Sequence, residues 1–230
     1  MNEKQIIRAY DYIVHHDKDF DKILKETAKK SCGVVLEPGP GTGLLTRELL
    51  QKRNIKSIIP VEISRIFVNK FKQNFPGQKI IKADAVRYRN AQEVDCVAMT
   101  LVWHHIEDER KKEFLENIFL QLKEGGKIII GDVFLLPYRD ESDRDKSLRI
   151  FHYDRISKIK DDFIKEVEEQ TLKEGLTRDG EYKTSEEVLR KLLVEVGFKK
   201  IETFEIGDQE PGGYRVVIAE KVSPHKNLNA

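Results

Sequence analysis

Short apolar runs alternate with amphipathic helical runs along most of the chain. "GVVLE" is followed by "GLLTRELLQ", and "KSIIPVE" by "SRIFVNKFKQNF"; "QKIIKAD", "VDCVAMTL", "ERKKEFLENIFLQL" and "GKIIIGDVF" continue the series. Strand-length runs separated by helices specify a parallel sheet covered on both faces, with right-handed crossovers. "NFPGQK" breaks a helix near Phe75, and "LKEGGK" places Gly125 and Gly126 as the stop between a helix and the fifth strand. Further on, "SEEVLRKLLVEVGF" repeats apolar positions at helical spacing, with Ser185 as N-cap and Gly197 as C-terminal stop. The last two runs, "KKIETFEI" and "GYRVVIAEK", have only "GDQEPGG" between them and predict an antiparallel hairpin. The pattern predicts an α/β fold: a doubly wound seven-stranded sheet, mostly parallel, closed by a C-terminal hairpin.

Two stretches depart from the alternation. Residues 1–30 carry two helical patterns, about 3–14 and 18–29, read as an N-terminal helical lid. Residues 137–184 are charge-dense, and Ile156, Ile159, Phe163 and Val167 recur at helical spacing. This segment reads as a helical cap inserted within one domain, 1–230, and "SPHKNLNA" as a loose tail.

Composition narrows the function classes. A chain of 230 residues fits one large domain. Lys and Arg number 41 against 40 Asp and Glu, a net charge of +1, which gives no electrostatic case for nucleic acid or an anionic membrane. No stretch approaches the ~18 apolar residues of a membrane span, and the start lacks an apolar core behind a basic segment, so a cytoplasmic protein is expected. Cys32 and Cys96 have no metal or disulfide spacing and read as buried thiols.

The candidate chemistry begins at "GVVLEPGPGTG". A glycine cluster that follows the first strand and opens the first helix sits where an open α/β sheet binds its ligand. The dinucleotide fingerprint needs GxGxxG, but after Gly39 and Gly41 its third position falls on Leu44; the glycine present is Gly43. No Gly-Lys-Ser/Thr follows, which excludes a Walker A loop.

"VVLEPGPGTG" resembles motif I, ExGxGxG, of the class I S-adenosylmethionine-dependent methyltransferases, a Rossmann-like fold. The resemblance implies that Gly39, Gly41 and Gly43 admit the methionine part of the cofactor and that Glu37 helps hold its amino group. Glu62, ending "IIPVE", matches the acid that binds the ribose hydroxyls, and Asp84 in "IKADAV" the residue that reaches the adenine amino group. Ile63, Ala85 and Thr100, beside these acids or ending the fourth strand, join the implied cofactor set. The pattern runs from Gly33 to Lys221, with the cap as its variable part.

After the fourth strand, "TLVWHHIED" resembles the small-molecule branch that includes quinone-biosynthesis C-methyltransferases, which often carry a similar His-His. His104 or His105 is therefore the expected catalytic base, needed when the acceptor arrives protonated. The N-terminal segment resembles one that closes over the cofactor in that branch, with Tyr10 toward its methionine end. Trp103 beside the histidines, Tyr138, His152 and Tyr153 in the cap, and Arg215 near the end are candidate acceptor contacts, suited to an acidic or aromatic small molecule. No His/Asp/Glu set has catalytic metal spacing, so no metal is expected. An RNA or protein methyltransferase, or a non-catalytic cofactor-binding protein, is the alternative. A homodimer stays open.

Overall fold

A computed structural model describes residues 8, 9, 12, 18–207 and 212–222. Tyr10, most of the first helical pattern and the C-terminal tail lie outside the described residues.

Strands β1 (Gly33–Pro38), β2 (Ile55–Glu62), β3 (Ile81–Lys82), β4 (Val94–Thr100), β5 (Leu122–Phe134), β6 (Lys199–Glu205) and β7 (Gly213–Glu220) form one sheet. Its order is β3-β2-β1-β4-β5-β7-β6. The first five strands run parallel, and β7 lies antiparallel between β5 and β6. The chain builds outward from β1 to β3, then returns to place β4 on β1's other side, which opens a crevice beyond the carboxyl ends of β1 and β4.

The seven helices among the described residues are α1 (Lys18–Lys30), α2 (Leu44–Leu50), α3 (Arg65–Asn74), α4 (Asp108–Gln121), α5 (Glu141–Lys158), α6 (Asp162–Thr177) and α7 (Glu186–Val196). Burial on both faces explains the apolar run Cys96–Met99 of β4. Cys96 and Ala98 face a core shared with α1 and α2, whereas Val97 and Met99 face Phe114, Leu115 and Ile118 of α4 and Leu189 and Leu193 of α7. None of the helices is long and apolar enough to cross a membrane. Both cysteines are free; Cys96 is buried and Cys32 half-buried.

The 18–30 segment, read from sequence as part of a lid, is a core layer. Phe20, Ile23, Leu24 and Ala28 form one buried helical face, and each of the three larger side chains gains about 1.5–3 kcal/mol by leaving water. A Cβ at Gly131 of β5 would stand 2.6 Å from Thr27 Oγ1, so glycine lets α1 rest directly on the strand.

The cap is two helices, where periodicity suggested one run through Ile156, Ile159, Phe163 and Val167. Ile159 is extended (φ −79°, ψ 130°), ending α5. Asp161 then starts α6 by accepting from the Ile164 N–H at 3.1 Å, satisfying a donor that a continued helix would have bonded. Gly125 and Gly126 also differ from expectation: α4 stops at Gln121, and both glycines lie within β5, where its register on β4 shifts. Gly125 there adopts φ +77°, and a Cβ on Gly126 would approach Lys123 O to 2.8 Å. Gly197 ends α7 at φ +112° as its position predicts, while Ser185 occupies the N-cap with no side-chain bond.

Candidate active site

At the end of β1, Glu37 is buried. The Thr46 hydroxyl of α2 donates to Oε2 at 2.6 Å, and Oε1 has no partner. Burial pushes this carboxyl up to about 8, against the bonds from Thr46. The loop that follows turns on Gly39, Gly41 and Gly43 at φ +59°, +57° and +92°. These angles favour glycine, and space demands it as well: a Cβ on Gly39 would lie 2.6 Å from Val102 Cγ2, and one on Gly43 2.2 Å from the Phe75 ring. The Val102 contact brings the loop against the chain leaving β4.

Pro38 and Pro40 remove two donors from this loop. The Gly41 N–H donates to Glu62 Oε2 at 3.2 Å, and the Ser64 N–H to Oε1 at 2.8 Å. One buried carboxylate thus ties the end of β2 to the glycine loop, and burial raises its pKa. Ile63 beside it is 64% exposed. Asp84, just after β3, accepts from the Val86 N–H at 2.9 Å and from Arg110 Nη2 of α4 at 2.6 Å. Partial burial opposes its ionisation, but Arg110 and Val86 outweigh it and hold the carboxyl below the usual range. Ala85 packs with Val86 on the α4 face. Thr100, ending β4, has a buried hydroxyl without a partner.

Beyond Thr100, Leu101 takes φ +57° and a short 3-10 turn, Trp103–His105, turns the chain. His104 Nδ1 lies 2.5 Å from Oδ1 of Asp132, a wholly buried residue of β5, and the His104 N–H donates to Asp132 Oδ2 at 3.4 Å. A carboxylate there holds the Nδ1 proton, so Nε2 carries the lone pair. The His105 ring is stacked at a tilt on His104, centroids 4.1 Å apart. Its Nδ1 lies 3.1 Å from Gly180 O and 3.6 Å from Glu181 Oε1. Crowding by protein, then His104, draws the His105 pKa below its ordinary value; the side chain is 53% exposed, which limits that effect.

Glu181 and Lys183 arrive from the strand-like segment after the cap, held by Tyr182 N to His104 O at 2.6 Å and Leu135 N to Thr184 O at 3.0 Å. Lys183 Nζ closes on Glu181 Oε2. Burial opposes ionisation of Glu181, but Lys183, His104 and His105 together hold its pKa well below the usual range.

The expected acceptor contacts do not all converge. Trp103 is fully buried in the core shared with α4 and α7, with Nε1 donating to Thr184 Oγ1 at 3.1 Å. The turn buries the indole and His104 on different partners, Thr184 and Asp132, and leaves His105 exposed. His152 is buried inside the cap, Nδ1 2.9 Å from Glu168 Oε1, with Nε2 unpartnered. Tyr138 is half-buried against the α1 core, and Tyr153 is 55% exposed. Arg215, on β7, is paired with Glu186 at 3.3 Å and Glu205 at 3.8 Å, so neighbouring acids already engage its guanidinium.

Sequence reasoning missed Thr46, Arg110, Asp132 and Glu181. Asp132 left one signal, a lone acid in the otherwise apolar "GKIIIGDVF". Glu181 left none, because its neighbour His105 precedes the whole cap.

A glycine loop at the switch point, carboxylates ending successive strands, and a seventh strand antiparallel between the fifth and sixth define the Rossmann-like methyltransferase fold. Solved structures agree. An S-adenosylmethionine-dependent methyltransferase from Clostridium acetobutylicum ATCC 824 aligns with TM-score 0.63 at 16% identity, covering 96% of this chain and 99% of that one. The N-methyltransferase NodS from Bradyrhizobium japonicum WM9, in complex with S-adenosyl-l-homocysteine, aligns at 0.58 and 16% identity over 89% and 86%. The mitomycin 7-O-methyltransferase MmcR aligns at 0.61 and 14% identity over 91% and 60%. A family model described as a methyltransferase domain matches residues 36–130. An uncharacterized methyltransferase of Geobacillus sp. (strain WCH70) is 30% identical over 78% of this chain and 76% of its own length. The chain belongs to this methyltransferase family. It spans little more than half the length of some other curated relatives it matches, 56% for one of Oceanobacillus iheyensis at 31% identity.

Proposed function

We propose that the protein moves a methyl group from S-adenosylmethionine to a small-molecule acceptor by in-line displacement. The observation that carries this reading is Glu37 Oε1: a buried carboxyl oxygen without a partner beside a glycine loop shaped for close approach. Such an orphan fits a cationic donor, and the cofactor's ammonium is one. Glu62 offers its remaining lone pairs to the ribose diol, and Asp84, fixed by Arg110, faces the adenine amino group. Ile63 and Ala85 flank these acids, and the Thr100 hydroxyl completes the set at the end of β4. When bound, the cofactor supplies a sulfonium-activated methyl; positioning and exclusion of water then account for much of the acceleration.

The acceptor side belongs to His104. Asp132 holds the imidazole in one tautomer, leaving Nε2 to receive a proton from a hydroxyl or acidic carbon. Tyr138, half-buried where the cap begins, contributes an acceptor contact, whereas His152 is engaged by Glu168 inside the cap. A small acceptor is supported by the neighbour named as a mitomycin 7-O-methyltransferase and by the chain's near-neutral charge. Calorimetric titration with S-adenosylhomocysteine tests the cofactor: wild type binds it and not NAD, and Glu62→Ala abolishes binding. Once an acceptor is found, His104→Asn lowers turnover roughly 100-fold with cofactor affinity unchanged. Binding of NAD in place of S-adenosylhomocysteine overturns the reading.

A further inference from the structure

His104, His105 and Glu181 each present one ligand atom, and the three atoms lie within 4.8 Å of one another. We infer that these side chains form a site for a divalent transition metal, zinc above all. The inference goes beyond the methyl-transfer reading and alters one role in it: an ion on His104 Nε2 takes the lone pair that would accept a proton, so the metal-bound protein lacks that base. Donors about 2.1 Å from a zinc ion at the tetrahedral angle stand roughly 3.4 Å apart. His105 Nδ1 and Glu181 Oε1 are already 3.6 Å apart.

The surroundings are those of a metal site. Asp132 holds the other ring nitrogen of His104 at 2.5 Å, the carboxylate-histidine arrangement that orients a ligating imidazole and raises its basicity. Lys183 engages only Oε2 of Glu181, so Oε1 stays turned to the imidazoles. His105 gives up its 3.1 Å contact to Gly180 O when Nδ1 turns its lone pair to the ion; half of the ring lies in solvent and has room to do so. Two imidazoles and a carboxylate suit zinc or ferrous iron better than magnesium or calcium. Three protein donors also leave a coordination position open, as in catalytic zinc centres, for solvent or an anionic oxygen or sulfur of an acceptor.

The test uses the full chain stripped with a chelator. Zinc chloride is titrated calorimetrically, and cobalt chloride by the visible absorption of low-coordinate Co²⁺. The expected result is a single saturable site, weakened at least 100-fold in Glu181→Gln and His105→Ala and about 10–100-fold in Asp132→Asn. His105→Ala is the safest variant, because that side chain is half exposed, and an unchanged S-adenosylhomocysteine affinity checks each variant's fold. No zinc or cobalt binding by wild type, or binding indifferent to both Glu181→Gln and His105→Ala, overturns the site. Zinc binding without S-adenosylhomocysteine binding keeps the metal site and sinks the cofactor reading; the reverse sinks only the metal site.

Discussion

Two sets of buried carboxylates end with pKa values displaced in opposite directions. Around the glycine loop, Glu37 and Glu62 are held by neutral donors, a threonine hydroxyl and two backbone N–H groups. Desolvation wins there and both pKa values rise, Glu37 to about 8. In the cap, Glu168 accepts from His152 and Arg155 through one oxygen, both at 2.9 Å. Burial opposes ionisation there too, but these partners outweigh it and bring its pKa to about 2. The loop half is therefore short of positive charge, as a receptor for a cationic cofactor should be. The cap neutralises itself and acts as a scaffold over the site.

The largest effect of a substitution should come from breaking that self-neutralisation. Glu168→Ala strands the His152 Nδ1 donor in the cap interior and removes one partner of Arg155, and should cost about 3 kcal/mol. Glu37→Gln, at pH 7, replaces a carboxyl already protonated with a neutral isostere and should cost under about 1 kcal/mol, although it removes the negative charge that the carboxyl can take up against the cofactor ammonium. Urea denaturation of both variants measures the difference, and equal losses would break the comparison.

pH sharpens it. The raised pKa of Glu37 means the native state keeps a proton that the unfolded chain releases above about 4.5, so its contribution is full below that pH and is lost as pH rises through about 8. Glu168 has the opposite sign: its contribution is present above about 4.5 and is lost as pH falls toward about 2. At about 1.4 kcal/mol for each tenfold change in proton affinity, the arms should carry roughly 5 kcal/mol for Glu37 and roughly 3 kcal/mol for Glu168. Glu37→Gln should flatten the alkaline arm of the stability profile and Glu168→Gln the acid arm; a variant that flattens the other's arm would contradict this assignment.

How far each half can be read from the sequence follows from the same difference. Glu37, Glu62 and Asp84 stand at the ends of successive strands, so motif and order locate them, while the side chains that fix two of them, Thr46 and Arg110, carry no such signal. Fold class and the terminal hairpin were legible for the same reason. The catalytic turn and cap depend on partners far apart in sequence: Asp132 for His104, Glu168 for His152, Thr184 for Trp103. An aromatic next to two histidines reads as a site residue until Thr184 is known to take its N–H. The single helical run through Ile159 likewise hides the break, although Asp161 is the cap type that announces it.

Glycine substitutions probe rigidity in the two halves at a smaller scale. An alanine at Gly131 meets Thr27 Oγ1 at 2.6 Å and Ile23 Cγ1 at 3.0 Å, between a strand and the helix lying on it, and should cost about 1–3 kcal/mol. At Gly175 of α6 the Cβ meets only the end of Leu148 at 2.9 Å, which can rotate away. Its clash is offset by roughly 1 kcal/mol of helix propensity, so Gly175→Ala should be near neutral in thermal unfolding. A larger loss at Gly175 would mean the cap is packed as tightly as the sheet.

The smallest contrast lies in two helix starts. Asp161 caps α6 through a 3.1 Å bond from the Ile164 N–H and pairs with Arg8 at 3.1 Å on the surface. Asp161→Ala should lose about 1 kcal/mol, nearly all of it from the cap bond, because the exposed ion pair adds little. Ser185 holds the same position at α7, yet its hydroxyl is buried and unpartnered. Removing a buried group that makes no bond relieves a desolvation cost, so Ser185→Ala should be neutral or stabilising by a few tenths of a kcal/mol despite deleting the residue type that caps helices best. A loss there as large as at Asp161 would show that the Ser185 hydroxyl finds a donor, and that the sheet half is as fully paired as the cap.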